Sequence, residues 1–253
     1  MKRYIIALAT VSLATTVAFA DQPSTNNSFT QGQQKSIEQI VHHYLITHPE
    51  VLVEASQALQ AKQNEQQEDD VTKAMIANKE QLFHDPSTPT FNKKDTKAYV
   101  VEFFDYQCGH CRTVAPEVTD VIAHNKNITV IFKELPIFGG ASDDAARMAL
   151  IAYKQGHYLA LHNALFSAND LLTKQGILDF AKQVGMNTSD VSTELNNPQY
   201  EKQIQNNFAL AQKLGIMGTP AFVISNAAET KFQLIPGATN KQGLETALQA
   251  IEE

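Results

Sequence analysis

The sequence predicts an α/β fold: a strand-helix-strand unit, a long run of helices, a β-hairpin and a closing helix, with an α-helical extension in front. Three observations carry that prediction. Tyr99–Phe104 and Ile128–Glu134 are β-branched and aromatic runs of strand length with one helical span between them. Between Leu135 and Gly215 no strand signal occurs and helical periodicities follow one another. Pro220–Ser225 and Lys231–Ile235 then pair as a hairpin, and Leu244, Ala247, Leu248 and Ile251 line one face of a last helix.

Taken in order, the chain opens with a basic Met1-Lys2-Arg3, an apolar run from Ile5 to Val17 and the small-residue pattern Ala18-Phe19-Ala20. That is the composition of a cleavable signal peptide over residues 1–20, and the apolar run is too short to span a bilayer. Residues 21–34 are rich in Gln, Asn, Ser and Thr and are expected to form a flexible leader. Ile37, Ile40, Val41, Tyr44 and Leu45 then keep helical spacing, and Pro49 suits the first turn of a second helix lined by Val51, Leu52, Ala55 and Leu59. The stripe fades from Gln60 to Asp70, resumes with Val71, Met75, Leu82 and Phe83, and ends at Asp85-Pro86. Residues 35–87 therefore form an N-terminal helical region. Its two apolar faces are only partly buried by a hairpin of their own, so a second copy is the expected cover and the chain a homodimer; docking on the same chain is the alternative.

Residues 88–253 hold the α/β part. A helix from Cys108 to Asn125 joins the first two strands, which should run parallel, with Cys108 at the carboxyl end of the first, where open α/β sheets bind their ligands. The helical insertion covers about residues 138–215. Ser142 is expected to cap its first helix, with Asp143 and Asp144 in the opening turn and Gly156 as the stop. Thr173–Gly185 holds another, and Asn197-Pro198 opens a third with Tyr200, Ile204, Phe208, Ala211 and Leu214 inward.

The only two cysteines of the chain, Cys108 and Cys111, stand three apart at a strand-to-helix junction. That placement sets the first sulfur over the free N–H groups of a helix, where the positive end of the dipole favours thiolate. A C-x-x-C is also half of a zinc site, but a second pair is missing and only distant histidines remain to close one. Glu102 reads either as a surface residue of the strand or as a buried acid, and Glu134 as a strand-end charge. Histidines other than His110 are read as surface or packing residues. The formal net charge of −7 becomes more acidic once Lys2 and Arg3 leave with the signal, which argues against nucleic acid as a partner.

Glu102-Phe-Phe-x-x-x-Cys108-x-His110-Cys111, with Gly218-Thr219-Pro220-Ala221-Phe222 about a hundred residues on, resembles the active-site run and cis-proline loop of DsbA-type thiol:disulfide oxidoreductases. These family features run from about Ala98 to the C-terminus, and the stretch before Ala98 resembles only the dimeric DsbA/Com-like branch. The resemblance implies a thioredoxin-like fold with an inserted helical domain and a redox-active Cys108–Cys111 disulfide. In it Cys108 is the exposed nucleophile, Cys111 the buried resolving sulfur, His110 the stabiliser of the Cys108 thiolate and Glu102 the proton relay for Cys111. Gly109, Thr219 and a cis Pro220 face the substrate, with backbone groups free to pair with it. No cofactor and no metal are implied. The partners are exported proteins with thiols or disulfides and a membrane redox partner, either a DsbB-like oxidase or a DsbD-like reductase; the place is the periplasm, with an outer-membrane association as a variant. Gly109 replaces the proline of strongly oxidising members and Thr219 their usual valine, and both resemble disulfide isomerases. The alternative is a surface-exposed binding or holdase module with little redox turnover.

Overall fold

The computed structural model describes residues 29–168 and 171–252, so the expected signal peptide and most of the expected leader lie outside the described residues. The chain divides into two compact units, Met1–Ala61 and Lys62–Glu253.

In the first unit, helix α1 (Gln31–Thr47) begins inside the span expected to be flexible. The cause is local. The Thr30 hydroxyl accepts the Gln33 N–H and the Gln33 side chain accepts the Thr30 N–H, a capping box that pairs two otherwise open donors. No residue of α1 is buried, and Ile37, Ile40, Val41 and Tyr44 remain exposed. Helix α2 (Glu50–Ala77) starts after Pro49, leaves Leu52, Val53 and Leu59 exposed, and runs unbroken through the polar Gln60–Asp70 span.

In the second unit the end of α2 and one π-helical turn, Glu80–His84, bury Met75, Leu82 and Phe83 with Val101, Phe103, Leu210 and Leu214. Buried Lys133 donates to the Gln81 carbonyl at 2.6 Å and to Thr88 Oγ1 at 2.9 Å. The expected boundary between residues 87 and 88 is therefore misplaced: residues 62–87 belong to the α/β body, because Met75, Leu82 and Phe83 supply part of its core.

Strands β1 (Thr90–Phe91), β2 (Ala98–Phe104), β3 (Ile128–Glu134), β4 (Ala221–Asn226) and β5 (Phe232–Pro236) make one sheet in the order β1-β3-β2-β4-β5. β2 and β3 run parallel and the other pairs antiparallel. β2 and β3 are covered on both faces, which is why they read as continuous apolar runs. Their register sets Val100, Glu102 and Phe104 on one face beside Val130, Phe132 and Glu134, and Val101 and Phe103 on the other beside Ile131 and Lys133. Helix α3 (Gly109–His124) packs on the first face with α4 (Ala141–Lys154), α5 (Tyr158–Phe166) and α9 (Lys241–Glu252).

The insertion continues through α6 (Lys174–Gln183), α7 (Val191–Glu194) and α8 (Pro198–Lys213), with Thr173 and Asn197 capping α6 and α8 as their sequence signals indicate. Ser142 is not a cap. Gly139 and Gly140, at φ of 65° and 55°, turn the chain into α4, and Ser142 lies buried in its first turn with its hydroxyl donated to Asp105. Phe208, expected inward, is exposed. The whole is a thioredoxin-like α/β fold with a helical insertion between β3 and β4 and a helical N-terminal part.

Candidate redox site

Cys108 is the N-cap of α3, in extended conformation at φ −74° and ψ 117°, immediately before helical Gly109. Its N–H donates to the Asp105 carbonyl at 3.1 Å, and its thiol donates to the Thr219 carbonyl at 3.3 Å. Cys111 lies one turn further on; both cysteines are free thiols. The Thr219–Pro220 bond is cis. Two residues 111 positions apart thus meet at the N-terminus of one helix.

Two expectations are corrected here. Cys108 is not broadly exposed: only 5% of it reaches solvent, because the thiol turns in against Thr219. The loop carbonyls are not free either, since Thr219 takes the thiol and Pro220 accepts the Gly237 N–H at 2.9 Å. Gly109 and His110 are exposed, and a Cβ on Gly109 would meet open space. Among the described residues His110 makes no hydrogen bond to Cys108.

Glu102 is fully buried, and neither carboxyl oxygen has a hydrogen-bond partner. The surface reading of this residue fails. Burial pushes its carboxyl up to about 8, and pushes the Cys111 thiol well above its ordinary range, with a main-chain hydrogen bond from Asp105 partly offsetting the second shift. An acid that holds its proton at neutral pH is thus electrostatically coupled to a buried sulfur that is costly to leave ionised.

Sequence reasoning missed several groups around this pair. The buried Asp105 carboxylate accepts the Gln107 N–H at 2.7 Å, the Ser142 hydroxyl at 2.7 Å and the Phe138 N–H at 3.1 Å. Gln107 Nε2 also donates to Ser142 Oγ at 3.0 Å. One side chain therefore ties the turn before Cys108 to the first turn of α4. Glu134 is no surface charge: it is buried, its Oε1 accepts the hydroxyls of Tyr158 at 2.8 Å and Tyr106 at 3.4 Å, and burial pushes it well above the usual carboxylate range. Tyr106 Oη lies 3.2 Å from Nδ1 of His162, which burial lowers to about 3 and keeps neutral. Its place two residues after a strand-length run is the one signal that could have flagged Tyr106. Two loops at the mouth expose apolar side chains, Met217 before the Thr219 loop and Ile137-Phe138 beside the Asp105 clamp.

Residues 99–249 match the family model of the DSBA-like thioredoxin domain, and residues 33–66 that of the copper resistance protein ScsC N-terminal domain. A thioredoxin-like oxidoreductase from Silicibacter pomeroyi is 36% identical, covering 69% of this chain and 98% of that one at a TM-score of 0.63. BcfH of Salmonella enterica Typhimurium is 30% identical over 88% of this chain and 97% of that one, at a TM-score of 0.73. ScsC of Proteus mirabilis in a transitional conformation is 30% identical, covering 88% and 98% at 0.62. The thiol:disulfide interchange protein DsbA of Bordetella pertussis is 27% identical over 133 residues, 51% of this chain and 63% of that protein.

Proposed function

Because the chain belongs to the DSBA-like thioredoxin-domain family, we propose that it is a periplasmic thiol:disulfide oxidoreductase that forms and isomerises disulfide bonds in exported proteins through Cys108 and Cys111. The observation that carries this reading is the Cys108 thiol at the N-terminus of α3, donating to the carbonyl that precedes cis Pro220, with buried, unpartnered Glu102 electrostatically coupled to Cys111.

In the oxidised protein a client thiolate attacks Cys108 Sγ. The client–Cys108 bond forms, the Cys108–Cys111 bond breaks, and the electron pair leaves on Cys111. A bare Cys111 thiolate is costly in this buried place, so protonated Glu102 gives it a proton and becomes a carboxylate. A second client thiolate then attacks the client sulfur of the mixed disulfide and releases Cys108, whose thiolate rests against the positive end of α3. Isomerisation starts with the second exchange in reverse: the Cys108 thiolate attacks a client disulfide, the client–Cys108 bond forms and a client thiolate leaves, while Cys111 can resolve a stalled adduct by attacking Cys108 Sγ, which is the first exchange in reverse. The freed client thiol then chooses another partner. His110, exposed two residues after Cys108, is the candidate stabiliser of the thiolate, and Gly109, Thr219 and Pro220 border the client chain.

Self-association through the exposed faces of α1 and the start of α2 belongs to the same proposal, with the homodimer as the smallest symmetric assembly. It would hold two Cys108 sites about one client and favour isomerisation. Reoxidation or reduction of the pair falls to a membrane redox partner, a DsbB-like oxidase or a DsbD-like reductase. Export rests on the signal-like residues 1–20, and among the described residues no helix is long and apolar enough to cross a membrane. Refolding of a scrambled disulfide client by the purified protein tests the reading: wild type restores native pairing and Cys108→Ser does not. Equal protection of the client by both would support the holdase alternative.

A further inference from the structure

Among the described methionines, Met75, Met148 and Met186 are buried, whereas Met217 is 96% exposed. It stands two residues before Thr219, whose carbonyl receives the Cys108 thiol, and three before cis Pro220. A side chain so exposed has no packing role in this chain. Across the mouth, Phe138 is 60% and Ile137 43% exposed, on a segment that the Asp105 carboxylate ties to the turn before Cys108. Both apolar segments are thus joined by hydrogen bonds to Cys108 or to the turn before it, where a client sulfur would be bonded.

We propose that Met217 is a client contact and an oxidation site, a thioether whose conversion to sulfoxide weakens client binding while leaving the Cys108–Cys111 chemistry intact. A peroxide is the oxidant: one oxygen atom passes to Met217 Sδ, the sulfur loses two electrons, the O–O bond breaks, and hydrogen peroxide leaves as water. The product is polar and hydrogen-bond accepting where the thioether was apolar and deformable, so its contact with an apolar client side chain is lost. In the disulfide form of the protein both cysteine sulfurs are already bonded and resist such an oxidant. The exposed sulfur at the site is then Met217. The client side of the proposal rests on the exchange function given above; the oxidation side does not.

The test starts from the protein with its disulfide formed, treated with limiting hydrogen peroxide and digested for mass spectrometry. One added oxygen on the Met217 peptide, ahead of those carrying Met75, Met148 and Met186, is expected; oxidation of the buried methionines at the same rate would overturn the site. Steady-state oxidation of a reduced client protein should then show KM raised roughly tenfold, the scale of one lost apolar side-chain contact. Reaction with the small thiol dithiothreitol should be unchanged. Met217→Gln should mimic the treated protein without oxidant, and the KM of Met217→Leu should not respond to peroxide. A KM that stays within twofold after complete Met217 oxidation would overturn the client contact. Absence of any client turnover before treatment would refute the exchange function instead, with the oxidation result still standing.

Discussion

The thiol of Cys108 and the main-chain carbonyl of Thr219 are hydrogen-bonded at 3.3 Å, closing the gap between the N-terminus of α3 and the cis Pro220 loop. The bond requires a proton on sulfur and is lost when Cys108 enters a disulfide. The Thr219 acceptor is then open to an N–H of a client chain. A thiol-free client peptide should therefore bind the oxidised protein more tightly than the reduced one, by about 1 kcal/mol or roughly fivefold, the net worth of one hydrogen bond. Calorimetric titration of both forms checks it.

Glu102 makes a stability prediction with a definite sign. Its carboxyl is raised to about 8 by burial, so between about 4.5 and 8 the native state holds a proton that the unfolded chain has released. The contribution of this group is complete at pH below about 4.5 and is lost as pH rises to about 8. Glu102→Leu removes an unpartnered buried carboxyl and should stabilise the protein at pH 7 by about 1–3 kcal/mol, with the gain growing from pH 5 to pH 8. Urea titrations across that range measure it. The same variant should exchange disulfides more slowly, since Cys111 loses its proton donor.

Asp105 should prove costly to remove. Asp105→Ala leaves the Gln107 and Phe138 N–H groups and the Ser142 hydroxyl without their acceptor, and a loss of about 3 kcal/mol is expected from charge-assisted bonds in a buried place. Ser142→Ala removes its own bond to Asp105 and the one from Gln107 Nε2 but leaves the carboxylate its two main-chain donors, so it should cost less. Urea unfolding ranks the two.

The N-terminal helices yield a prediction about mass and one about where the chain can be cut. Ile40→Lys with Val41→Lys should lower the solution mass to that of one chain in sedimentation, because both residues lie on the exposed face of α1. A protein starting at Lys62 should also be monomeric and still exchange disulfides. One starting at Thr88 lacks Met75, Leu82 and Phe83 and should be destabilised by several kcal/mol, each lost core side chain being worth about 2–5 kcal/mol.

What could be read in advance divides along physical lines. β2, β3, α3 and the hairpin were legible because long runs of one period leave no competing reading, and the Cys108–Cys111 pair was legible because no other cysteine exists. β1, with two residues, and α7, with four, are shorter than any period can reveal. The leader was misread at Thr30, where a capping box outweighs polar composition. Glu102 could not be placed from sequence, since a strand with both faces covered does not alternate, and Glu134 was misjudged for the same reason. Asp105, Ser142 and the Tyr106-Glu134-Tyr158 cluster come together only through packing of the insertion against β2 and β3. The boundary near Ala61 was obscured because α2 passes through it without a sequence break.

The central claim is that Cys108 takes the client sulfur and Cys111 resolves the adduct. Cys111→Ala, expressed with residues 1–20 retained in cells making exported disulfide proteins, should accumulate Cys108-linked mixed disulfides, visible as high-mass bands that reductant dissolves, whereas Cys108→Ala should show none. Equal adducts in both variants, or none in the first, would contradict the account.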